Sequence, residues 1–262
     1  MSGSAIVRPL SITVCYHTKL KGILSVHLRF ILYCALLIIT FSCVAFAQDE
    51  AATIDKSRIP SQANKPSQFA PAGWKIEAQA TGDLNGDSLP DYAIKLVEDK
   101  PEKNSEGDPT ERGRALVIAL STKDGKLQRA GVADKLLQCT RCGGAFYGVV
   151  ESPANVSIEK GVVVVEQDHG SRDLSDTTYR FRYEPTTQRF VLIGFDFSDV
   201  DRLTASGVTE STNYLTGIRI TTRGKGNRDT KTRSVVQKKT IYLEDAAAED
   251  LEGAALKRLH LD

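Results

Sequence analysis

The sequence predicts a mainly β chain built of antiparallel sheets, arranged as a sandwich, open barrel or meander, with a possible C-terminal helix. Three observations carry that expectation. Short apolar or alternating runs recur along the chain, as in Ala115-Leu116-Val117-Ile118-Ala119-Leu120 and Tyr179-Arg180-Phe181-Arg182-Tyr183. Turn-forming residues separate them, notably Asp124-Gly125, Lys160-Gly161 and Thr186-Thr187-Gln188. Only residues 246–261, with Leu251, Ala255, Leu256 and Leu259, approach helical spacing.

The first 47 residues read as an address. Arg8, Lys19, Lys21 and Arg29 precede an apolar run from Phe30 to Val44, no acid occurs, and Ala45-Phe46-Ala47 supplies small flanking residues. That is the pattern of a secretory signal peptide cleaved after Ala47. An apolar stretch of about eighteen residues also meets the lower limit for spanning a bilayer, so residues 30–47 form an alternative, uncleaved anchor. Lipidation at Cys43 ranks third, because Phe41 is bulky where small residues are usual. A periplasmic or secreted location follows from cleavage, and membrane attachment only from retention of this segment.

Residues 48–70 read as a linker, since Pro60, Ser61, Gln62, Pro66, Ser67 and Gln68 mix with isolated charges without periodicity. Residues 71–262 then form the β-rich domain. Its expected strands include 92–97, 115–120, 127–130, 156–158, 162–165, 179–183, 190–193, 218–221 and 240–243. The strict alternation at 179–183 places aromatic rings on one face and Arg180 and Arg182 on a solvated one. Polar stretches at 99–113 and 223–234 read as exposed loops, and Lys135-Leu136-Leu137 and Leu203 as short helical turns.

Charge narrows the partners. Four of the 34 Lys and Arg residues and none of the 33 Asp and Glu residues lie in 1–47, so the 215 residues that follow carry 30 cations against 33 acids. A chain near neutrality without a basic block argues against nucleic acid and leaves an unidentified protein or envelope component as the expected partner.

The motif with most chemistry is Asp83-Leu84-Asn85-Gly86-Asp87-Ser88-Leu89-Pro90-Asp91. Ca²⁺ takes six to eight oxygen ligands, and alternate side chains on a tight loop point to one side. Asp83, Asn85, Asp87 and Asp91, with the Leu89 carbonyl, form the expected set. An EF-hand is excluded: its twelfth loop position needs a bidentate Glu, and Ile94 stands there. Ser88 stands where related loops usually have Gly at positive φ, and Ser there would cost up to about 1 kcal/mol. The bland alternative is a solvated turn of ordinary turn formers.

Residues 80–92 resemble the FG-GAP or VCBS-type repeats of secreted and cell-surface proteins, which carry G-D-x-N-G-D-G-x-x-D before an apolar strand. The resemblance covers about fifteen residues. It implies Ca²⁺ at Asp83, Asn85, Asp87 and Asp91 in an adhesion or scaffold context. Several copies build a propeller in that family, whereas Asp196-Phe197-Ser198-Asp199-Val200-Asp201 lacks the glycine and the spacing of a second copy. The stretches 137–144, His169-Gly170-Ser171, 181–183 and 211–217 resemble bacterial envelope proteins of unassigned function, which implies an extracytoplasmic location and no activity.

Cys139 and Cys142 remain after the export segment. An oxidising compartment favours a local disulfide. A thiol-redox pair would need a helix where Gly143-Gly144 stands, and a zinc site would need His169 and a carboxylate as further ligands. His169, beside Asp168 and Ser171, invites a hydrolase reading, but a triad is defined by geometry and no G-x-S-x-G occurs. The expected function is therefore an exported, non-enzymatic binding or structural module with one Ca²⁺ site. The alternative is an extracytoplasmic hydrolase or thiol-redox enzyme using His169 or the Cys139/Cys142 pair.

Overall fold

The computed structural model describes residues 51–225 and 228–261. Residues 1–47, and with them the signal-peptide and anchor readings and the lipidation reading of Cys43, lie outside the described residues. Among those described, no helix is long and apolar enough to cross a membrane.

Among the described residues, twelve strands form two antiparallel sheets. The first contains β1 (Gln62–Ala63), β2 (Trp74–Gly82), β3 (Asp91–Glu98), β4 (Arg114–Ser121) and β5 (Leu127–Ala133), in the order β1-β5-β4-β3-β2. The second runs β6 (Ala154–Glu159), β7 (Val162–Gly170), β8 (Asp173–Glu184), β9 (Arg189–Asp201), β10 (Ser206–Asn213), β11 (Ile218–Lys225) and β12 (Arg228–Val235), each strand pairing with the next. A helix, α1 (Ala248–Leu259), follows. The sequence-predicted fold class therefore stands, and a two-sheet meander takes the place a propeller would need.

The continuous apolar run in β4 is explained by burial on both faces. Leu116 and Ile118 join the core shared with β7–β10 and α1, where Val163, Val165, Tyr179, Phe181, Phe195 and Phe197 are buried. Ala115, Val117 and Ala119 point the other way, onto Ile54, Ile59, Ala63 and Phe69. Residues 51–70 are thus a packed cover rather than a linker. Ile54 and Ile59 flank a 3-10 turn (Lys56–Arg58), Ala63 lies on a two-residue strand that pairs Gln62 with Gln128, and Phe69 ends a second 3-10 turn. So irregular a backbone leaves no hydrophobic period to detect.

Three further expectations change. Residues 223–225 and 228–234 fall in the paired strands β11 and β12; β12 is exposed at all eight positions, so it has no apolar face for a pattern to mark. Thr240-Ile241-Tyr242-Leu243 makes only a bridge from Tyr242 to Val191 before a 3-10 turn, Leu243–Asp245, carries the buried Leu243 inward against Gly131. Residues 134–137 form bends, and Leu203 lies in the β9–β10 turn, so neither is helical. The predicted C-terminal helix is present, burying Ala255 and Leu259, with Glu249 and Asp250 in its first turn and Lys257 and Arg258 in its last, each matching the helix dipole.

Candidate functional site

The acidic loop joins β2 to β3. Its entrance, Gly82, sits so close to β6 that a Cβ there would lie 2.7 Å from Ile158 Cγ2. The loop is a series of side-chain-capped turns. Asp83 accepts from the Gly86 and Ser88 N–H groups at 2.7 and 2.9 Å. Asn85 Oδ1 accepts from Asp87 N at 3.0 Å, and Asp87 Oδ1 from Leu89 N at 2.8 Å. Asn85 Nδ2 donates to Asp87 Oδ2 at 3.0 Å. Gly86 and Ser88 both have positive φ, 82° and 68°, the conformation expected at Ser88.

Asp91 differs from the others because it is fully buried. It accepts from Leu84 N at 2.8 Å and from Ser121 N at 2.7 Å, tying the loop to the end of β4. Burial pushes its carboxyl above the ordinary range; the charges of Asp87 and Asp83 add to this, while the two N–H donors oppose it. The Ser88 N–H is the main influence holding the exposed Asp83 carboxyl below its usual range.

The donor set fits a hard cation: Asp83, Asn85, Asp87 and Asp91 offer oxygen, and the acids repel one another without a counter-charge. Among the described residues, the set of three acidic, Cys or His side chains whose ligand atoms lie within 4.8 Å of one another is Glu111, Cys139 and Cys142, not the loop. A cation at the loop would therefore have to draw these carboxylates together.

Cys139 and Cys142 are joined as a disulfide. Oxidised sulfurs are not the thiolate ligands that zinc takes, so Glu111 beside them gains no metal partner in this state. No helix opens at Cys142; residues 140–143 form turns. The segment is fastened by Thr140 N to Arg112 O, Ser152 N to Thr140 O, and the Ser152 hydroxyl to Cys139 O.

His169 ends near the same segment, because Gly170 N donates to Gly143 O at 3.0 Å. Its Nε2 lies 2.5 Å from Glu252 Oε1 on α1, and this hydrogen bond raises its pKa against the opposing effect of burial. Asp168 accepts from the Tyr147 hydroxyl, whose pKa is pushed up to about 12 by burial and then by that bond. Among the described residues no Ser or Cys side chain hydrogen-bonds His169; the nearby Ser175 hydroxyl donates to Asp199 at 2.9 Å. His169 fastens a helix to a sheet, and the nucleophile–base contact of a triad is not formed.

A charged group that the sequence reading did not single out lies between these features. Arg114 grips Glu77 with two bonds of 2.8 Å, and Lys95 Nζ lies 3.4 Å from Glu77 and 2.8 Å from Ala154 O. The remaining Arg114 nitrogen donates to Ser152 O at 2.9 Å, with Gln138 O and Cys139 O at 3.3 and 3.4 Å. Arg112 pairs with Glu151. Burial works to raise the Glu77 pKa, but the bonds and charge of Arg114 outweigh it, and the carboxyl ends below its ordinary range. Lys95 is driven down by burial. One signal was present in the sequence: a lysine inside the apolar strand Ala93-Ile94-Lys95-Leu96-Val97.

Trp74 is half-buried, and Tyr179 is wholly buried with its ring 5.2 Å from Phe195, both in packing positions. Comparison of the chain with protein-family models, curated proteins and solved structures gave no match.

Proposed function

We propose that this chain is an exported, non-enzymatic binding or structural module of the cell envelope whose β2–β3 loop takes one Ca²⁺. The observation that carries the reading is the loop itself. Asp83, Asn85 and Asp87 occupy successive turns closed by their own carboxylate and amide oxygens, and Asp91 is buried at the base. Ca²⁺ would neutralise Asp87 and Asp83, whose charges add to the burial that raises the Asp91 pKa. Asp83, Asn85, Asp87, Asp91 and the Leu89 carbonyl would hold it, and the resemblance to FG-GAP or VCBS-type loops supports the same ligands. Its role would be to order the loop that fastens β3 to β4, leaving partner binding to another surface. A periplasmic or secreted location fits this reading, since extracellular modules bind Ca²⁺ with dissociation constants on the order of 10⁻⁴ to 10⁻³ M.

The test is Ca²⁺ titration of EDTA-treated protein, followed by melting temperature. At ten times the dissociation constant, binding to the folded state alone adds about 1.4 kcal/mol, or about 3–5 °C for a chain of this size. Asp87→Ala should abolish the shift, and Mg²⁺ should not reproduce it. No shift at 10 mM Ca²⁺, or an equal shift in Asp87→Ala, would overturn the assignment.

A further inference from the structure

Among the described residues, β12 stands at the open edge of the seven-stranded sheet, paired with β11 alone. All eight of its residues are exposed. A strand in this position presents a row of backbone N–H and C=O groups with no neighbour. The charge it carries is one-sided. Residues 218–239 hold eight Lys and Arg residues and a single acid, Asp229, in a chain otherwise rich in acids.

The register sorts these cations by face. Ser234 lies opposite Arg219, which bonds Thr212 and pairs with Glu210; Glu210 in turn pairs with Arg258 of α1. That face is therefore the helix side. Lys231 lies opposite Thr222, Arg233 opposite Ile220, and Val235 opposite Ile218, all on the other face. Lys231 and Arg233 make no ion pair among the described residues, and Ile220 and Val235 are 36% and 88% exposed beside them. At period two this face of β12 carries Asp229, Lys231, Arg233 and Val235: one acid at its start, then two cations and an apolar residue.

We propose that β12 is a docking edge for an extended acidic peptide of a partner protein, which adds as a further strand and sets carboxylates beside Lys231 and Arg233 and an apolar side chain beside Val235. Main-chain bonds would supply affinity, and the alternating side chains would select the sequence. A second copy of this chain is the wrong occupant, because each β12 brings three cations and one acid, and edge lysines keep identical strands apart. Acidic partners turn the same charges from repulsive to attractive. This surface is separate from the β2–β3 loop, so the proposal does not rest on Ca²⁺ binding there.

The probe is a synthetic eight-residue peptide with Glu at alternating positions, Thr between them and a terminal Val, titrated onto the full chain by fluorescence anisotropy. Binding should weaken with added salt. The same peptide N-methylated at alternate residues keeps its charge but loses main-chain donors, and should bind at least tenfold more weakly. The double variant Lys231→Glu/Arg233→Glu should lose binding by at least tenfold while keeping its melting temperature, and should gain affinity for the matching Lys-containing peptide. Absence of binding, equal binding of the N-methylated peptide, or equal capture of the chain by vesicles of anionic phospholipid would overturn the proposal. So would concentration-dependent dimerisation that this double variant abolishes.

Discussion

Glu77→Ala removes the anion that stands between two buried cations. Arg114 and Lys95 have side chains only 2% and 10% exposed, and Glu77 is 22% exposed. Breaking a buried ion pair by deleting one partner typically costs 3–5 kcal/mol, because the remaining charge stays desolvated. Two features place this case at the lower end. Arg114 keeps Ser152 O, Gln138 O and Cys139 O as acceptors, and Lys95 keeps Ala154 O. The expected loss is about 3 kcal/mol, a large share of the 5–15 kcal/mol that holds a typical domain together. At this chain length that corresponds to a melting temperature lower by about 6–12 °C. Urea denaturation would measure it, with Asp196→Ala as the comparison. Asp196 pairs with Arg180 at a site where both side chains are more than a third exposed, and such pairs contribute about 1 kcal/mol or less. The Glu77 loss should also persist in high salt, which screens exposed pairs more than buried ones. A Glu77→Ala cost below 1 kcal/mol, or one equal to that of Asp196→Ala, would refute the reasoning.

The His169–Glu252 pair makes stability depend on pH. A raised folded pKa means the protonated histidine stabilises the fold fully below its unfolded value of 6.5, and that contribution is lost as pH rises through the raised value. The acids facing His169 are Glu252 on α1, Asp199 on β9 and the adjacent Asp168. Glu252→Gln should flatten melting temperature between pH 6 and 8 relative to the parent chain, and an unchanged slope would argue against the pair. Ser88→Gly relieves a left-handed backbone at φ 68°; it should gain up to about 1 kcal/mol, seen as a melting temperature higher by about 2–4 °C, and a lowered value would contradict the strain.

Legibility in the sequence followed burial asymmetry. Tyr179-Arg180-Phe181-Arg182-Tyr183 declared its strand because one face is buried against Phe195 and its neighbours and the other is wet. β4 declared itself because both faces are buried. β12 was unreadable for the opposite reason, being solvated on both faces, and β2 because a bulge between Ile76 and Ala78 shifts its alternation midway. The acidic loop was legible because its chemistry is local: Asp83, Asn85 and Asp87 bond within five residues of themselves. The Glu77–Arg114–Lys95 group was not, since Glu77 lies 37 residues from its arginine and only the fold brings them together.

The two-sided burial of β4 also orders assembly in time. Residues 51–70 leave the ribosome before any strand they cover, and β1 cannot pair until β5, more than sixty residues later, has been made. Ile54, Ile59 and Phe69 must therefore wait, uncovered, for the surface of Ala115, Val117 and Ala119 to form. Such a segment behaves as a late-closing flap. A cut after residue 70 would leave the flap held by its packing and by the β1–β5 pairing, and its loss would uncover Ala115, Val117 and Ala119 on the back of the five-stranded sheet.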